Sequence, residues 1–202
     1  MSKILWKPGT MVYPVPAVMV TCGTMASPNI ITIAWTGTIC SDPAMTYISV
    51  RKERYSYDLI KESGEFVINL TTKSLVKATD YCGVKSGRDH DKFKTMGLTP
   101  IEGSYTKVPL IAESPVNIEC KVTQILELGS HDMFLAKVLG ITIEDTLIDA
   151  TGKFRLDLAN PISYAHGAYY ALGESLGTFG YSIMKKKTLQ KKIAHKKSTT
   201  KK

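Results

Sequence analysis

The stretch NIITIAWTGTICSDP, residues 29–43, decides the fold of this chain, because it predicts one long β-strand that ends in a turn. Side chains of a strand alternate between its two faces, so Ile31 and Trp35 share a bulky face that is typical of a core. The opposite face is mostly small and hydroxylated, as at Ala34 and Thr36. Such a face predicts either the seat of a flat aromatic ligand or a tightly packed interior that a neighbouring strand approaches closely.

The bulk composition is that of a globular protein with one domain. The chain has 202 residues, of which 44% are hydrophobic and 22% are charged, and this length suffices for one domain with a substantial core. No stretch approaches the roughly 18 apolar residues of a membrane span. The first residues contain neither a continuous apolar run nor a cleavage site. We therefore expect no signal peptide, no membrane segment and a cytoplasmic protein.

The net charge of +8 belongs to the C-terminal end of the chain. Nine of the 26 basic residues fall in residues 185–202, which contain no acidic residue, so the rest of the chain has 17 basic and 18 acidic residues. We predict a domain of residues 1–184 and a disordered, Lys-rich tail of residues 185–202. A nucleic-acid or anionic-surface module built on the tail is a third functional hypothesis, and the lack of a basic stripe in the body argues against it.

Cysteine and histidine spacing gives no sign of a metal site. The four cysteines form no C-x-x-C pair and the four histidines are scattered, so free thiols and no metal ligands are expected. No Ser/His/Asp set or pair of carboxylates is evident, and we predict no catalytic residue. Any catalysis would be the chemistry of a cofactor that the protein positions.

Strand patterns dominate the chain and short helices interrupt them. The helices are expected to begin near Ser56, Thr72 and Asp89 and to stop at glycines, and a hairpin is expected at Gly129. These patterns predict a mainly β protein, a small closed barrel of six antiparallel strands with short inserted helices. The G-x-G-x-x-G fingerprint and the P-loop are both missing. Strands are predicted over residues 13–24, 29–39, 44–50, 65–70, 115–129 and 131–145.

Two segments have the chemistry of an anion site. Arg51 ends a strand just before Ser56 begins a helix, and a helix start with an adjacent guanidinium attracts phosphate. Residues 86–88, Ser-Gly-Arg, form a permissive cationic loop shortly before Lys92. Solvated cations and an ordinary helix connection are the alternatives for these segments. His131, beside the hairpin turn, is either a structural residue or part of a site.

These stretches resemble the flavin reductase-like, FMN-binding split-barrel family, and in particular its flavoredoxin-like branch. The resemblance rests on the run AWTG…DP…SVR…RYSY from residue 34 to 57, on ATDYCGVKSGRDHDKF and on GSHDMFLAKV. It covers roughly residues 12–180 and leaves the Lys-rich tail outside. It implies a six-stranded antiparallel Greek-key split β-barrel and a homodimer that holds non-covalent FMN near the subunit interface.

The resemblance also implies which residues meet the cofactor. The segment from Thr32 to Thr36 would lie along the isoalloxazine ring, and the strand end up to Arg51 and the helix start at Ser56 would meet the ribityl chain and phosphate. Residues 86–93 would form a second phosphate-side loop, and His131 would approach the flavin. The expected cofactor-binding residues are Asn29, Thr32, Ala34, Trp35, Thr36, Ser49, Val50, Arg51, Ser56, Ser86, Gly87, Arg88, Lys92, Phe93 and His131.

The function that follows from the resemblance is redox work through bound FMN. Two classes stay open at this point. The first is an oxidoreductase that takes electrons from NAD(P)H and reduces a flavin or another acceptor. The second is an electron carrier that exchanges electrons with a redox protein and does not oxidise a nicotinamide. The four residues Tyr164, His166, Tyr169 and Tyr170 suggest a lid or a dimer arm without a defined place.

Overall fold

The computed structural model describes residues 1–184 and divides the chain into two units. Met1–Leu172 form the first unit, which contains every strand among the described residues, and the second unit begins at Gly173. The predicted Lys-rich tail, residues 185–202, lies outside the described residues. The strands are β1 (Val15–Pro16), β2 (Val18–Thr24), β3 (Ser27–Ile33), β4 (Thr36–Ser41), β5 (Ala44–Val50), β6 (Glu65–Asn69), β7 (Pro100–Ile101), β8 (Leu110–Ile111), β9 (Val116–Glu127), β10 (Asp132–Ile143), β11 (Ile162–Ala165) and β12 (Ala168–Ala171). The helices are α1 (Tyr55–Ser63), α2 (Val76–Val84) and α3 (Lys92–Met96), with 3₁₀ turns at Lys73–Leu75, Asp145–Leu147, Leu156–Ala159 and Tyr181–Ile183.

The main sheet is antiparallel and has the Greek-key order that the family resemblance implied. Its seven strands lie in the order β3-β2-β6-β9-β10-β5-β4. β3 and β4 are consecutive in the chain yet occupy opposite edges, so the sheet must curl until its edges meet as a barrel. After β5 the chain passes through α1 and returns to the other side of the sheet, where β6 pairs with β2. This long return is the Greek-key connection. The mainly β fold is confirmed.

The predicted strand over residues 29–39 is two strands, which is why the sheet has seven strands and not six. The chain bends at Ala34 and Trp35, between β3 and β4. β3 pairs with β2 from Ile33 to Ser27, whereas β4 pairs with β5 on the far side of the barrel. Ser49 N donates to Trp35 O at 2.9 Å and fixes the bend. One continuous segment thereby supplies both edges of the sheet.

β3 is buried on both faces, which differs from the expected single core face. Ile31 and Ile33 pack inside the barrel, while Ile30 packs in a second core between the sheet and the helices. Thr32 Oγ1 donates to Thr79 O on α2 at 2.5 Å, and a Cβ on Gly83 would lie 3.2 Å from Thr32 Cβ. The small side chain of Thr32 therefore lets α2 approach closely, so a neighbouring element does cover part of the small face.

Ser56 and Asp89 lie near the starts of α1 and α3 but do not cap them, whereas two of the predicted helix ends are right. α1 begins at Tyr55 after Arg54, so Ser56 is its second residue and not its cap. The cap of α3 is Asp91, whose carboxylate accepts from Lys94 N at 3.0 Å, and not Asp89. Gly64 and Gly97 end their helices with a positive φ of 64°, a conformation that glycine adopts at little cost.

The Tyr-rich segment that had no predicted place forms a short hairpin of β11 and β12, and β1 pairs with β11. Tyr13 stacks on His166 with ring centroids 4.6 Å apart. Tyr13 also lies 6.1 Å from Trp35 and 6.2 Å from Tyr164, measured between ring centroids. Tyr169 donates its hydroxyl to Asp80 at 3.3 Å. The hairpin therefore packs its aromatic side chains toward the bend between β3 and β4.

The polar side of β9 is covered by the loop between β7 and β8. Glu119 has no exposed surface. Its carboxylate accepts from the backbone N–H groups of Ser104, Tyr105 and Thr106 at 3.0, 2.8 and 2.8 Å and from the Thr106 hydroxyl at 3.0 Å. A buried carboxylate is tolerated where several donors surround it. Glu119 therefore anchors the loop to the barrel.

Two global features bear on function. None of the helices in the described part of the chain combines the length and apolar character that a membrane crossing requires. All four cysteines carry free thiols, and three of them are buried. Burial raises the pKa of Cys22 and Cys82 to about 11, so both are protonated thiols at neutral pH and poor nucleophiles.

Candidate functional site

Two adjoining cavities follow β3 and the segments that face it. The first cavity has a volume of about 400 Å³ and lies between the start of α1 and the loop after α2. The second, of about 140 Å³, lies over residues 31–35 and the end of β5. Ile31 and Arg54 line both cavities, so the two form one continuous groove. The larger one alone falls in the range of about 300–1,000 Å³ that is usual for ligand pockets.

The first cavity is strongly cationic. Arg54, Lys85, Arg88 and Lys92 line it against a single acidic residue, Glu53. The N-terminus of α1 opens into it at Tyr55 and Ser56, and the first N–H groups of a helix have no partner within the helix. Positive side chains, a helix start and the hydroxyls of Ser56 and Ser86 are the donor set that a phosphate requires.

The loop of residues 86–88 is built around a close backbone approach. A Cβ on Gly87 would lie 2.0 Å from Asn29 Oδ1 and 2.9 Å from the Tyr55 ring, so only glycine fits at this position. The guanidinium of Arg88 lies over the Tyr55 ring, 5.3 Å from its centroid. Its Nη1 donates to Glu53 O at 3.3 Å. These contacts hold the cation at the rim of the cavity.

Asn29 and Ser56 act as a pair behind the first cavity. Asn29 Nδ2 donates to Ser56 Oγ at 2.8 Å, and both residues are buried. Ser56 lines the cavity, whereas Asn29 lies one layer deeper, against Gly87 and Cys22. Asn29 therefore orients the Ser56 hydroxyl.

Lys92 and Phe93 occupy places that the sequence did not predict. Lys92 Nζ donates to Ile30 O at 2.6 Å and to Cys82 O at 2.9 Å, and burial lowers its pKa. Two of its three protons thus tie β3 to α2 at the floor of the cavity. Phe93 packs in the second core against Ile30, because an apolar ring gains more from burial there than from contact with a polar ligand. Phe93 is therefore a core residue and not part of the cavity lining.

The second cavity is lined by the bend between β3 and β4 and by the residues that face it. Thr32, Ala34 and Trp35 form one wall, and Ser49, Val50, Arg51 and His131 form the other. Arg51 is half-exposed, with its Nη1 3.3 Å from Glu53 Oε1. Thr36 is not among the residues that line this cavity, and its hydroxyl donates to Tyr47 O at 2.6 Å within the sheet.

His131 is the titratable group of the second cavity that can change charge near neutral pH. Its Nδ1 is 2.9 Å from Ser130 Oγ. Burial is the main cause that lowers its pKa below the ordinary 6.5, and the neighbouring Arg51 guanidinium lowers it further. The imidazole is therefore mostly neutral at pH 7.

The structure brings most of the predicted site residues together along one groove, but it separates the two predicted anion partners. Ser56 and residues 86–88 line the first cavity, while Arg51 lines the second. Sequence reasoning did not select Arg54 or Lys85. The position of Arg54 immediately before a helix start is the signal that could have revealed it. Among the described residues, no group of three His, Cys, Asp or Glu side chains could hold a metal ion.

The chain is similar to a known protein family and to individual proteins within it. Residues 10–173 match the family described as flavin reductase like domain. An uncharacterized protein of Archaeoglobus fulgidus is 33% identical over 137 residues, which are 68% of this chain and 77% of that protein.

Solved structures extend the likeness to the whole barrel. The flavoredoxin of Desulfovibrio vulgaris (Miyazaki F) is 32% identical with a TM-score of 0.83, over 91% of this chain and all of that one. A flavoredoxin from Methanosarcina acetivorans is 26% identical with a TM-score of 0.82, with the same coverage. The chain belongs to the flavin reductase-like family, in its flavoredoxin-like branch.

Proposed function

We propose that this protein holds FMN non-covalently in the groove and passes electrons through it. Membership of the flavin reductase-like family supports a flavin-binding redox protein and a flavin-dependent oxidoreductase as its class. One observation carries the finer proposal. A cationic cavity that suits a phosphate runs directly into a small-sided wall that suits a flat ring, and Ile31 and Arg54 border both.

The phosphate of FMN fits the first cavity. Arg54 and Arg88 would supply positive charge, Ser56 and Ser86 hydroxyls, and the start of α1 its free N–H groups. Charge-assisted hydrogen bonds to a phosphate are roughly twice as strong as neutral ones. The floor is already tied together by Lys92 and its two carbonyl partners.

The ring of FMN would lie over the second cavity, whose volume of about 140 Å³ takes up only part of a three-ring system. When bound, FMN supplies the one-electron and two-electron chemistry that no side chain of this groove can perform. The backbone of residues 32–35 and the Ser49 hydroxyl would meet the polar edge of the ring, and Trp35 would limit access of water. His131, neutral at pH 7, would exchange a proton at the open end. Arg51 would lie beside the ring or ribityl chain and Asn29 would support the phosphate seat from behind.

The remaining parts of the proposal concern partners. The electron donor is either NAD(P)H, which makes the protein an enzyme, or a redox protein, which makes it a carrier. We include a homodimer, as the resemblance implies, and a cytoplasmic setting, which the free cysteines favour. The large exposed side chains of Leu5 and Trp6, 100% and 67% accessible in the single chain, are consistent with burial in an assembly.

The experiment that tests the function is the visible absorption spectrum of the purified protein, followed by anaerobic addition of NADH and then NADPH. A flavin spectrum that bleaches with a nicotinamide identifies an NAD(P)H-dependent enzyme. A spectrum that bleaches only with dithionite identifies a carrier whose donor is another protein. The absence of flavin, together with no binding of added FMN, would refute the proposal.

A further inference from the structure

The turn of residues 51–54, between β5 and α1, carries two of the guanidinium groups that line the groove. Arg51 lines the second cavity, and Arg54 lines both cavities. Arg54 N donates to Arg51 O at 3.1 Å and closes the turn, so the two cations move together with it. Lys52 lies between them in the chain but lines neither cavity of the groove. Its ammonium group therefore has a different partner.

That partner is a buried carboxylate at the start of β10. Asp132 has no exposed surface. Lys52 Nζ lies 3.4 Å from Asp132 Oδ2, and the Tyr57 hydroxyl donates to the same oxygen at 2.6 Å. Lys52 Nζ also donates to Glu127 Oε2 at 3.1 Å. Because Glu127 is paired with Asp132 across the hairpin of β9 and β10, both carboxylates hold the ammonium group on that hairpin.

Stability does not account for this ion pair. Asp132 Oδ1 accepts no hydrogen bond from the residues that the structure describes, and a buried carboxylate with one oxygen unsatisfied is costly. The Lys52 side chain is half-exposed, so water weakens its attraction to the carboxylate. Geometry offers a better account. The pairing of β5 with β10 ends at Val50 and Asp132, so Lys52 continues the contact between the two elements beyond the end of the sheet.

His131, next to Asp132 in the chain, reports where the turn lies. Burial lowers its pKa most, Arg51 and Arg54 lower it further, and Glu53 raises it. All three of these charged residues belong to the turn. The pKa of His131 therefore depends on how closely the turn lies against the hairpin, whether or not a flavin is bound.

We propose that Lys52 and Asp132 are positioning residues of the flavin site, whose ion pair holds the turn of residues 51–54 against the hairpin of β9 and β10. The turn then presents Arg54 to the phosphate seat and Arg51 to the ring seat. The Tyr57 hydroxyl fixes the carboxylate from α1. The effect on FMN rests on the proposed function, whereas the placement of the turn beside His131 does not.

The first test measures the titration midpoint of His131 by NMR in the flavin-free protein. Lys52→Met removes the ammonium group and Asp132→Asn removes the carboxylate, and we expect the midpoint to rise in both, because the guanidinium groups move away from the imidazole. Lys52→Arg keeps a cation and should retain the wild-type midpoint. The direct effect of removing a negative charge is to lower the pKa of a histidine, so a fall or no change in Asp132→Asn would overturn the proposal.

The half-exposed Lys52 keeps the test decisive if Asp132→Asn does not fold. An unchanged His131 midpoint in Lys52→Met would then overturn the proposal by itself. A rise in Lys52→Met, restored to the wild-type value in Lys52→Arg, would support it.

The second test titrates the same variants with FMN and with riboflavin. We expect both Lys52→Met and Asp132→Asn to lower the affinity for FMN about fivefold and that for riboflavin less, since Arg54 serves the phosphate. The sign in Asp132→Asn is again decisive. Removing a negative charge near an anion site would by itself tighten FMN, so tighter or unchanged binding in this variant would overturn the role in flavin binding.

Lys121→Met is the matched control. The Lys121 side chain is 49% exposed, against 50% for Lys52, and its Nζ lies 3.1 Å from Glu65 Oε1, the same distance as between Lys52 and Glu127. Lys121 lines neither cavity of the groove, so this variant should leave the His131 midpoint and both affinities unchanged. The same response in Lys121→Met and Lys52→Met would show that the loss of any such ion pair suffices and would overturn the proposal.

The outcome also separates this inference from the proposed function. If the wild-type protein binds no FMN but the His131 midpoint rises in both variants, the placement of the turn stands and the flavin proposal falls. If FMN binds and neither variant changes the midpoint or the affinity, the positioning role falls and the proposed function is untouched.

Discussion

Replacing Arg88 with alanine isolates the phosphate end of the groove. Arg88 is exposed at the rim of the first cavity and is held there by Tyr55 and by the Glu53 carbonyl. A hydrogen bond to a charged group contributes about 1.5–3 kcal/mol. Because water competes at an exposed side chain, the lower figure of about 1.5 kcal/mol applies, which corresponds to about a tenfold loss of FMN affinity.

The assay compares FMN with riboflavin, which has the same ring and ribityl chain but no phosphate. Titration of Arg88→Ala with each ligand, followed by flavin fluorescence, should show the tenfold loss for FMN and a change of less than about twofold for riboflavin. The difference should shrink at high salt, since an exposed charge pair is screened. Arg155→Ala is the matched control, because Arg155 pairs with Asp157 at 2.6 Å and lines neither cavity of the groove.

Two results would contradict the reasoning. An equal loss for FMN and riboflavin would mean that Arg88 supports the loop and does not contact the phosphate. No loss for either ligand would place the phosphate elsewhere. Arg51→Ala decides that case, because a selective loss of FMN in this variant would move the phosphate to the second cavity, where Arg51 lies.

Three further predictions follow from individual contacts. Gly87→Ala should lower the affinity for FMN and riboflavin alike by about tenfold or more, because the added Cβ would meet Asn29 and Tyr55 and displace the loop. Gly173→Ala is the control and should leave both affinities unchanged, since nothing lies within 4 Å of its added Cβ. Retained binding in the Gly87 variant would show that the loop does not form the site. The NMR titration of His131 should have its midpoint below pH 6.5, and the midpoint should move upward in Arg51→Ala, since the guanidinium lowers the pKa. Because the pKa is lower in the folded than in the unfolded state, His131 contributes stability above pH 6.5 that is lost as pH falls. A midpoint at or above pH 6.5 would refute the assigned cause. Glu119→Gln should lower the free energy of unfolding by about 3 kcal/mol in urea denaturation. The reason is that an amide group cannot accept from all the donors around that buried carboxylate. A loss below about 1 kcal/mol would contradict the role of Glu119 as the anchor of the loop.

The sequence predicted the architecture well, because strand and turn preferences are local. Alternating hydrophobic residues, the Ser41-Asp42-Pro43 turn and the Gly129 hairpin act over a few residues, and each is where the structure has a strand or a turn. The small side chains of Thr32 and Ala34 also predicted a face that lines the groove. Their alternation with bulky residues is a property of the chain alone.

The tertiary structure decided what local patterns cannot encode. β3 and β4 form the opposite edges of the sheet, and only this arrangement shows that the chain must bend at Trp35. The partners of Lys92 are 62 and 10 residues away in sequence, and the two cavities join segments from five separate elements. Buried charge and close backbone approach depend on distances between remote residues. For that reason the direction of Lys92, the need for Gly87 and the separation of Arg51 from Arg88 came from the fold, while the sequence alone predicted the mainly β barrel and most of the residues that line the groove.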